Sequence, residues 1–423
     1  MIHWKKTWTA WMLSIALLTA PVGTAMAATA VQTLLYGAAV MAMAKKQLTM
    51  MDDSHQKQML ANTQQKTGVT HDQAYNERLE RIARTLVSTG MIKRDYDVYV
   101  NPSKELNAFE TIGGVISVNQ GMMDVLNDDE LAFTLCHEMQ HGEKRHAING
   151  VLKSIGISTL VDVAMGGNAD VLDILLGSVA INYIDNEVVT MDQEKEADAT
   201  GFNVLKHTAY NVGGAPSSMQ FVYEKYGDLY TEGFQRVISP NNHPQMSSRI
   251  EKLAGRITQW SGNHVQVGGD MVYVNALPVV RPAAAGEYSP RRRAFLVEGN
   301  LARLMHNLYG EAPKENRVQD TPLTMIQASR TNHDEARKKA GTIDWQVSLQ
   351  DQQVTVNGIR IMTCAAGDNG KEIVQNLERA LQAKPAMLSK REITARNAEW
   401  KKKYGYKVQK KETVKPAGSA SSQ

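Results

Sequence analysis

The segment AFTLCHEMQHGEKRH, residues 132–146, brings together side chains that can bind a metal ion. In an α-helix, residues four apart share a face, so His137 and His141 can present two imidazoles to one ion. Glu138 lies between them and can reach a water molecule beside the ion without being a ligand. Imidazole and carboxylate groups suit zinc, and a catalytic zinc site has three protein ligands and one exchangeable position. The segment therefore predicts one catalytic Zn²⁺ per chain, with Glu138 moving the proton during hydrolysis.

The third protein ligand must come from elsewhere in the chain. His146 follows His141 by five residues, which does not fit the metzincin spacing, so we expect it on a helix surface. The segment QEKEADATGF places Glu194 and Asp198 four residues apart. One helical face could then offer Glu194 to the metal and Asp198 to a ligand imidazole. In isolation, the same pattern also fits an ordinary acidic helix face.

The elements that must position these residues indicate an α+β fold, mostly helical, with a small β-sheet. Asn127 and Glu130 form a capping pair at the start of the site helix, which fixes the phase of that helix. Residues 74–90 have the apolar spacing of a helix that ends at Gly90. The segments YDVYVN and GGVISVNQG are typical of strands. A mostly helical catalytic domain with a small sheet follows from these signals.

Four segments are predicted along the chain. Residues 1–27 are typical of a signal peptide, with two lysines, a short apolar run and Ala-Met-Ala at the end. Residues 28–260 are predicted to form the catalytic domain, and residues 262–395 a smaller α+β domain of unassigned role. In the smaller domain, VYVNALPVV and VTVNGIRIM suggest a degenerate repeat of a hairpin followed by a helix. Residues 396–423 are predicted to be a basic disordered tail.

Composition and charge limit the partners and the location. The chain is 43% hydrophobic and 22% charged, as in folded globular proteins. Residues 400–423 hold seven lysines against one glutamate, so the basic character belongs to the tail. We therefore predict no nucleic-acid partner, while contact of the N-terminus or the tail with a membrane surface or cell wall remains an alternative. The signal peptide predicts an exported protein of the periplasm, the cell envelope or the extracellular space.

Two cysteines allow at most one disulfide bond. Export would permit such a bond, but Cys136 lies beside His137 in the site helix and Cys364 lies in the other predicted domain. We expect two separate buried thiols.

The chain resembles the gluzincin metallopeptidases of peptidase family M48 over about residues 70–260. The matching segments occur in the order of the family: NAFETIGGVISVNQG, HEMQH, the EKEAD form of the Glu-x-x-Ala-Asp motif, and HPQMSSRI. The resemblance implies a zincin-type catalytic domain and a zinc-dependent peptidase.

The resemblance also implies roles for the residues of the metal site. His137, His141 and Glu194 would bind the zinc, Glu138 would be the catalytic acid and base, and Asp198 would support a ligand from behind.

Further residues gain roles from the same resemblance. In envelope members, the histidine of the matching His-Pro segment lies close to the zinc, so His243 is expected either to restrain the site or to stabilise the oxyanion as a catalytic group. In gluzincins an extended peptide adds to an edge strand beside the site, so Asn107, Ala108 and Val115 are expected to bind substrate. Arg249 is expected to form a structural ion pair, with a charge contributed to the site as the alternative.

The sequence therefore predicts an exported zinc metalloendopeptidase that acts on proteins or peptides, with unfolded or damaged envelope proteins as the implied substrates. Two alternatives remain open. A latent binding or chaperone-like protein would keep the peptidase fold, with His243 filling the open zinc position. A zinc amidohydrolase acting on cell-wall peptides would use the same residues on another substrate.

Overall fold

A computed structural model of the chain describes residues 25–155, 190–228, 245–312 and 343–406. Most of the predicted signal peptide, His243, and the predicted tail after residue 406 lie outside these ranges. The described residues form an α+β fold, mostly helical with three small sheets, as predicted. The helices are α1 (Ala25–Ser54), α2 (Gln56–Thr67), α3 (Gln73–Val87), α4 (Gln120–Val125), α5 (Asp128–Glu143), α6 (His146–Ile155), α7 (Met191–Leu205), α8 (Gly214–Tyr226), α9 (Met246–Trp260), α10 (Pro290–Tyr309), α11 (Gly370–Gln382) and α12 (Lys390–Tyr404). The strands are β1 (Asp97–Asn101), β2 (Ala108–Thr111), β3 (Val115–Asn119), β4 (Val265–Gly268), β5 (Met271–Val274), β6 (Leu277–Val280), β7 (Val347–Gln350), β8 (Gln353–Val356) and β9 (Ile359–Thr363).

The first sheet has the strand order β1-β3-β2 and separates two apolar clusters. Strand β3 is central, parallel to β1 and antiparallel to β2. Ile116 and Val118 of β3 pack in the main core with α3 and α5, whereas Val115 packs with Val40 and Leu48 of α1 on the other side. Because alternate strand residues point to opposite faces, one short strand is buried from both sides. The sheet is thereby fixed against the site helix α5.

Asp52, near the end of α1, joins three parts of the catalytic domain. Its carboxylate accepts hydrogen bonds from Arg94 (2.6 Å), from Arg145 (2.7 Å) and from the backbone amide of Gly113 (2.7 Å). Gly113 lies in the turn between β2 and β3, and Arg145 directly follows the C-cap of α5. A buried carboxylate with three donors is well satisfied, so α1 holds the sheet turn and the end of α5 in a fixed relation.

Two units of like topology follow α9. The first contains β4-β5-β6 and α10, and the second contains β7-β8-β9 and α11; both sheets are antiparallel. Asn300 of α10 donates to the Ile361 carbonyl in β9 (2.9 Å), and Asn376 of α11 donates to the Val279 carbonyl in β6 (3.2 Å). Each helix is therefore bonded to the last strand of the other unit. This exchange fits the hairpin-helix repeat, and a duplication origin of the units stays a prediction.

Elements on the two sides of the domain boundary expected near residue 261 pack against each other. Helix α10 packs against α8 and α9, and one apolar cluster runs from Leu79 in α3 to Trp400 in α12. The fully buried ion pair of Arg292 in α10 with Glu130 in α5 (2.8 Å) joins the second part of the chain directly to the site helix.

The expectation of a disordered tail from residue 396 is wrong for its first residues. Helix α12 runs to Tyr404 and begins with a capping box of Ser389 and Glu392. Trp400 and Asn397 are buried, and Asn397 Oδ1 accepts a hydrogen bond from the backbone amide of Gly269 at 2.9 Å. One tryptophan and one asparagine anchor a lysine-rich helix whose charge alone is typical of a solvated tail.

Both cysteines, Cys136 and Cys364, are buried and unpaired, as predicted. Across the described ranges, no helix combines the length and the apolar character needed to cross a bilayer.

Candidate metal centre

Helix α5 supplies two imidazoles. Asn127 Oδ1 accepts from the Glu130 backbone amide (2.9 Å) and the Glu130 carboxylate accepts from the Asn127 amide (3.1 Å), so the predicted capping pair begins the helix. Two turns later, His137 and His141 lie on one face, and their Nε2 atoms are 3.1 Å apart. Both side chains are buried. The two ring nitrogens converge on a single point, as the four-residue spacing predicts.

Helix α7 brings a carboxylate to the same point. Thr190 and Gln193 form a second capping box that starts this helix. Glu194 Oε2 is 3.6 Å from Nε2 of His137, and Glu194 Oε1 is 3.5 Å from Nε2 of His141. One ligand atom from each of the three residues lies within 4.8 Å of the others. The structure thus brings together all three predicted ligands, two from α5 and one from α7.

Gly201 explains how α7 comes so near α5. A Cβ atom at this position would lie 3.2 Å from the backbone carbonyl carbon of Cys136 and 3.2 Å from the backbone nitrogen of His137. Such contacts are tight, so a larger side chain would push the helices apart. Gly201 lies about two helical turns after Glu194 on the same helix. The close crossing of α7 and α5 at Gly201 therefore determines how near the Glu194 carboxylate comes to the two histidines.

Asp198 and Arg249 support the cluster from behind. Asp198 Oδ1 lies 3.0 Å from Nδ1 of His137. The Arg249 guanidinium bonds Asp198 twice, at 2.8 and 2.7 Å, and contacts Glu194 at 2.8 Å. Burial alone would raise the pKa of Asp198, but the charge of Arg249 and the bond to His137 hold it well below its usual range. Asp198 is therefore a carboxylate that can accept the Nδ1 proton of His137, which leaves Nε2 of His137 free for the ion.

His146 was expected on a helix surface, and that expectation is wrong. Its side chain is buried, and its Nδ1 is 3.0 Å from Nδ1 of His141. Burial, then the neighbouring His137 and His146, lower the pKa of His141 well below its ordinary value. His141 is therefore neutral, as a metal-ligating imidazole must be. The spacing of His146 excludes it as a metzincin-type metal ligand, but it does not exclude contact with a ligand. The role of His146 beside His141 was therefore not predicted.

Glu138 lies in the site helix α5 between the two histidines, and the His-Pro segment precedes helix α9. The Glu138 side chain is buried. His243 lies outside the described residues. Helix α9, which begins at Met246, delivers Arg249 from the same sequence segment. Arg249 does form an ion pair, as expected, and its partners belong to the metal cluster.

The expected substrate strand needs one correction. Val115 begins the central strand β3 and is fully buried, paired between Asp97 and Thr111. It therefore has no free edge for a peptide. The two edge strands are β1 and β2, and the one that follows Asn107 is β2, whose four residues are all buried. Among the described residues, none donates a hydrogen bond to the buried Oδ1 of Asn107.

The His-Glu-x-x-His helix, the distant glutamate and the small mixed sheet define a metallopeptidase. Residues 72–257 match the family model described as peptidase family M48. The chain is 28% identical to the metalloprotease YcaL of Escherichia coli (strain K12) over 187 residues, which are 43% of this chain and 70% of that protein. It is also 28% identical to the metalloprotease LoiP of the same strain, over 44% of this chain and 71% of LoiP. This region therefore matches peptidase family M48, and the match, together with the metalloproteases that it resembles, supports a metalloendopeptidase.

A longer match reaches into the second part of the chain. The beta-barrel assembly-enhancing protease of Escherichia coli (strain K12) is 23% identical over 286 residues, which are 63% of this chain and 54% of that protein. The chain thus spans about half the length of this relative.

Proposed function

We propose that the chain is an exported zinc metalloendopeptidase in which His137, His141 and Glu194 bind one Zn²⁺. In a tetrahedral site with zinc bonds of about 2.0–2.1 Å, ligand atoms are about 3.3–3.4 Å apart. The separations in the structure, 3.1, 3.5 and 3.6 Å, lie on either side of that value. Two histidines and a glutamate are also a donor set of catalytic zinc enzymes. The convergence of these three groups is the observation that carries the proposal.

The residues around the cluster have separate tasks in hydrolysis. The ion would polarise the peptide carbonyl and lower the pKa of water at the site. Glu138 takes the proton of the attacking water and passes it to the leaving amine. Asp198 keeps the proton of His137 on Nδ1, and Arg249 keeps Asp198 ionised and contacts Glu194 at 2.8 Å. The chain thus holds His141 as a neutral imidazole and Asp198 as a carboxylate, as hydrolysis requires.

The position of β2 at a sheet edge favours a substrate that binds as an extended peptide. A peptide that adds to a sheet edge is held by main-chain hydrogen bonds, which requires an unfolded segment and little sequence preference. Asn107 and Ala108, at the start of this edge strand, would contact the substrate.

Unfolded proteins of the cell envelope are the proposed substrates. The apolar N-terminal segment has the signature of a signal peptide, which would deliver the enzyme to the periplasm or envelope. The name of one relative, the beta-barrel assembly-enhancing protease, connects that protein with β-barrel assembly. Proteins that fail to assemble there would offer the extended segments that the edge strand can bind.

The test combines cleavage with metal content. The protein without its first 27 residues should cleave unfolded casein, and Glu138→Gln should lower kcat/KM by about 10²–10⁴-fold with unchanged zinc content, because a general acid and base contributes about that much. Glu143→Gln at the end of the same helix is the matched control and should retain activity. Cleavage at wild-type rates by Glu138→Gln would overturn the assigned mechanism.

A further inference from the structure

We infer that His146 is a positioning residue that fixes the tautomer and orientation of His141, an inference that rests on the proposed metal site. His146 is 4% exposed and begins helix α6. Its ring lies at 77° to that of His141, with the ring centroids 4.9 Å apart and the two Nδ1 atoms at 3.0 Å. This edge geometry and short distance are those of a hydrogen bond between the two imidazoles.

The position of each proton follows from the requirement that His141 bind the metal through Nε2. Nε2 of His141 points at the cluster, 3.1 Å from Nε2 of His137, and must carry a lone pair to bind an ion. Its proton is therefore on Nδ1, which donates to Nδ1 of His146. His146 then carries its own proton on Nε2, which lies 3.6 Å from Glu196 Oε2. Each of the two imidazoles therefore has only one tautomer that satisfies its hydrogen-bond partners.

Helix α7 supports both ligand imidazoles, by different routes. Asp198 contacts His137 directly, at 3.0 Å. Glu196 reaches His141 only through His146, and Lys144 contacts the other oxygen of Glu196 at 2.9 Å. The usual partner behind a metal-binding histidine is a carboxylate, a backbone carbonyl or water, and here an imidazole occupies that place for one of the two ligands.

The backbone is bent to bring His146 into this place. In a continuous helix, a residue five positions after His141 would be rotated by about 140° and would face away from it. Helix α5 instead ends at Glu143, and Arg145 adopts a left-handed conformation with φ of 54°. This conformation is strained for a residue other than glycine. The ion pairs of Arg145 with Asp52 and Asp53, both at 2.7 Å, stabilise the turn.

The test measures metal affinity and not only turnover. His146→Leu fills the same space without an acceptor, whereas His146→Asn places an oxygen near the position of Nδ1. Zinc dissociation constants are obtained by competition with a chromophoric chelator, and the visible spectrum of the cobalt-loaded protein reports the geometry of the ion. His264→Leu, a fully buried histidine stacked on Tyr309 in the second part of the chain, controls for general loss of packing.

His146→Leu should raise the zinc dissociation constant by about 10–100-fold, as substitutions behind metal ligands do, and should alter the cobalt spectrum. His146→Asn should remain within a few-fold of wild type, and His264→Leu should not change the affinity. Wild-type affinity in His146→Leu, or an equal loss in His146→Leu and His146→Asn, would overturn the role of His146 while leaving the metal site intact. A wild-type protein that binds no zinc would overturn the proposed function itself.

Discussion

Removal of the Arg249 guanidinium should destabilise the apoprotein more than the zinc-bound protein. In Arg249→Met, Glu194 and Asp198 lose three contacts of 2.7–2.8 Å in a place where both side chains are nearly buried. Breaking a buried ion pair costs about 3–5 kcal/mol because a charge is left uncompensated. Two carboxylates are left here, so we expect the upper end of that range, about 5 kcal/mol, in the presence of a chelator. A bound ion would neutralise Glu194, and the loss should then fall to about 3 kcal/mol.

Thermal unfolding of wild type and Arg249→Met, with chelator and with excess zinc, measures this difference. At about 2–4 °C per kcal/mol, the melting temperature should fall by about 10–20 °C in chelator and by clearly less with zinc. Lys252→Met is the control, because Lys252 lies on the same helix with its side chain exposed. A loss no larger than in this control, or one that is the same with and without zinc, would refute the reasoning.

Three further predictions follow from contacts around the site helix. Gly201→Val should displace α7 and raise the zinc dissociation constant at least tenfold, with a smaller effect for Gly201→Ala, because the added Cβ would lie 3.2 Å from the backbone of α5; unchanged affinity in a chelator competition would contradict it. Arg292→Met should lower the free energy of unfolding by about 3–5 kcal/mol in denaturant titrations, since Glu130 would remain fully buried without its cation; a loss below 1 kcal/mol would be incompatible with the ion pair. The depressed pKa of Asp198 stabilises the fold above its unfolded pKa of about 4, and this contribution is lost as pH falls towards the folded pKa. In chelator, the stability difference between wild type and Asp198→Asn should therefore be constant at neutral pH and shrink below about pH 4, and a difference that grows on acidification would reverse the assigned sign.

Local signals in the sequence predict the site helices well. The capping pair of Asn127 and Glu130 and the four-residue spacings depend on contacts within one or two turns, which the sequence displays directly. The meeting of Glu194 with the histidines depends on the crossing of α5 and α7, and the residue that permits it, Gly201, has no distinctive sequence context. The residue pattern makes Glu194 a candidate third ligand, and the family resemblance implies the same meeting.

Features that depend on tertiary packing could not be predicted from the sequence. The strand order β1-β3-β2 buries Val115 in the middle of the sheet, because strand alternation does not tell which strand takes the edge. The left-handed turn at Arg145 is held by Asp52 and Asp53, about ninety residues earlier, so nothing near Arg145 predicts that His146 folds back onto His141.

The central claim is that one zinc ion is held by two histidines of α5 and one glutamate of α7. Anomalous diffraction at the zinc absorption edge, from crystals of the zinc-loaded protein, tests it most directly. The account predicts a single strong peak about 2.0–2.1 Å from Nε2 of His137, Nε2 of His141 and a carboxylate oxygen of Glu194. No peak at this position, or a Glu194 side chain directed away from it, would contradict the account.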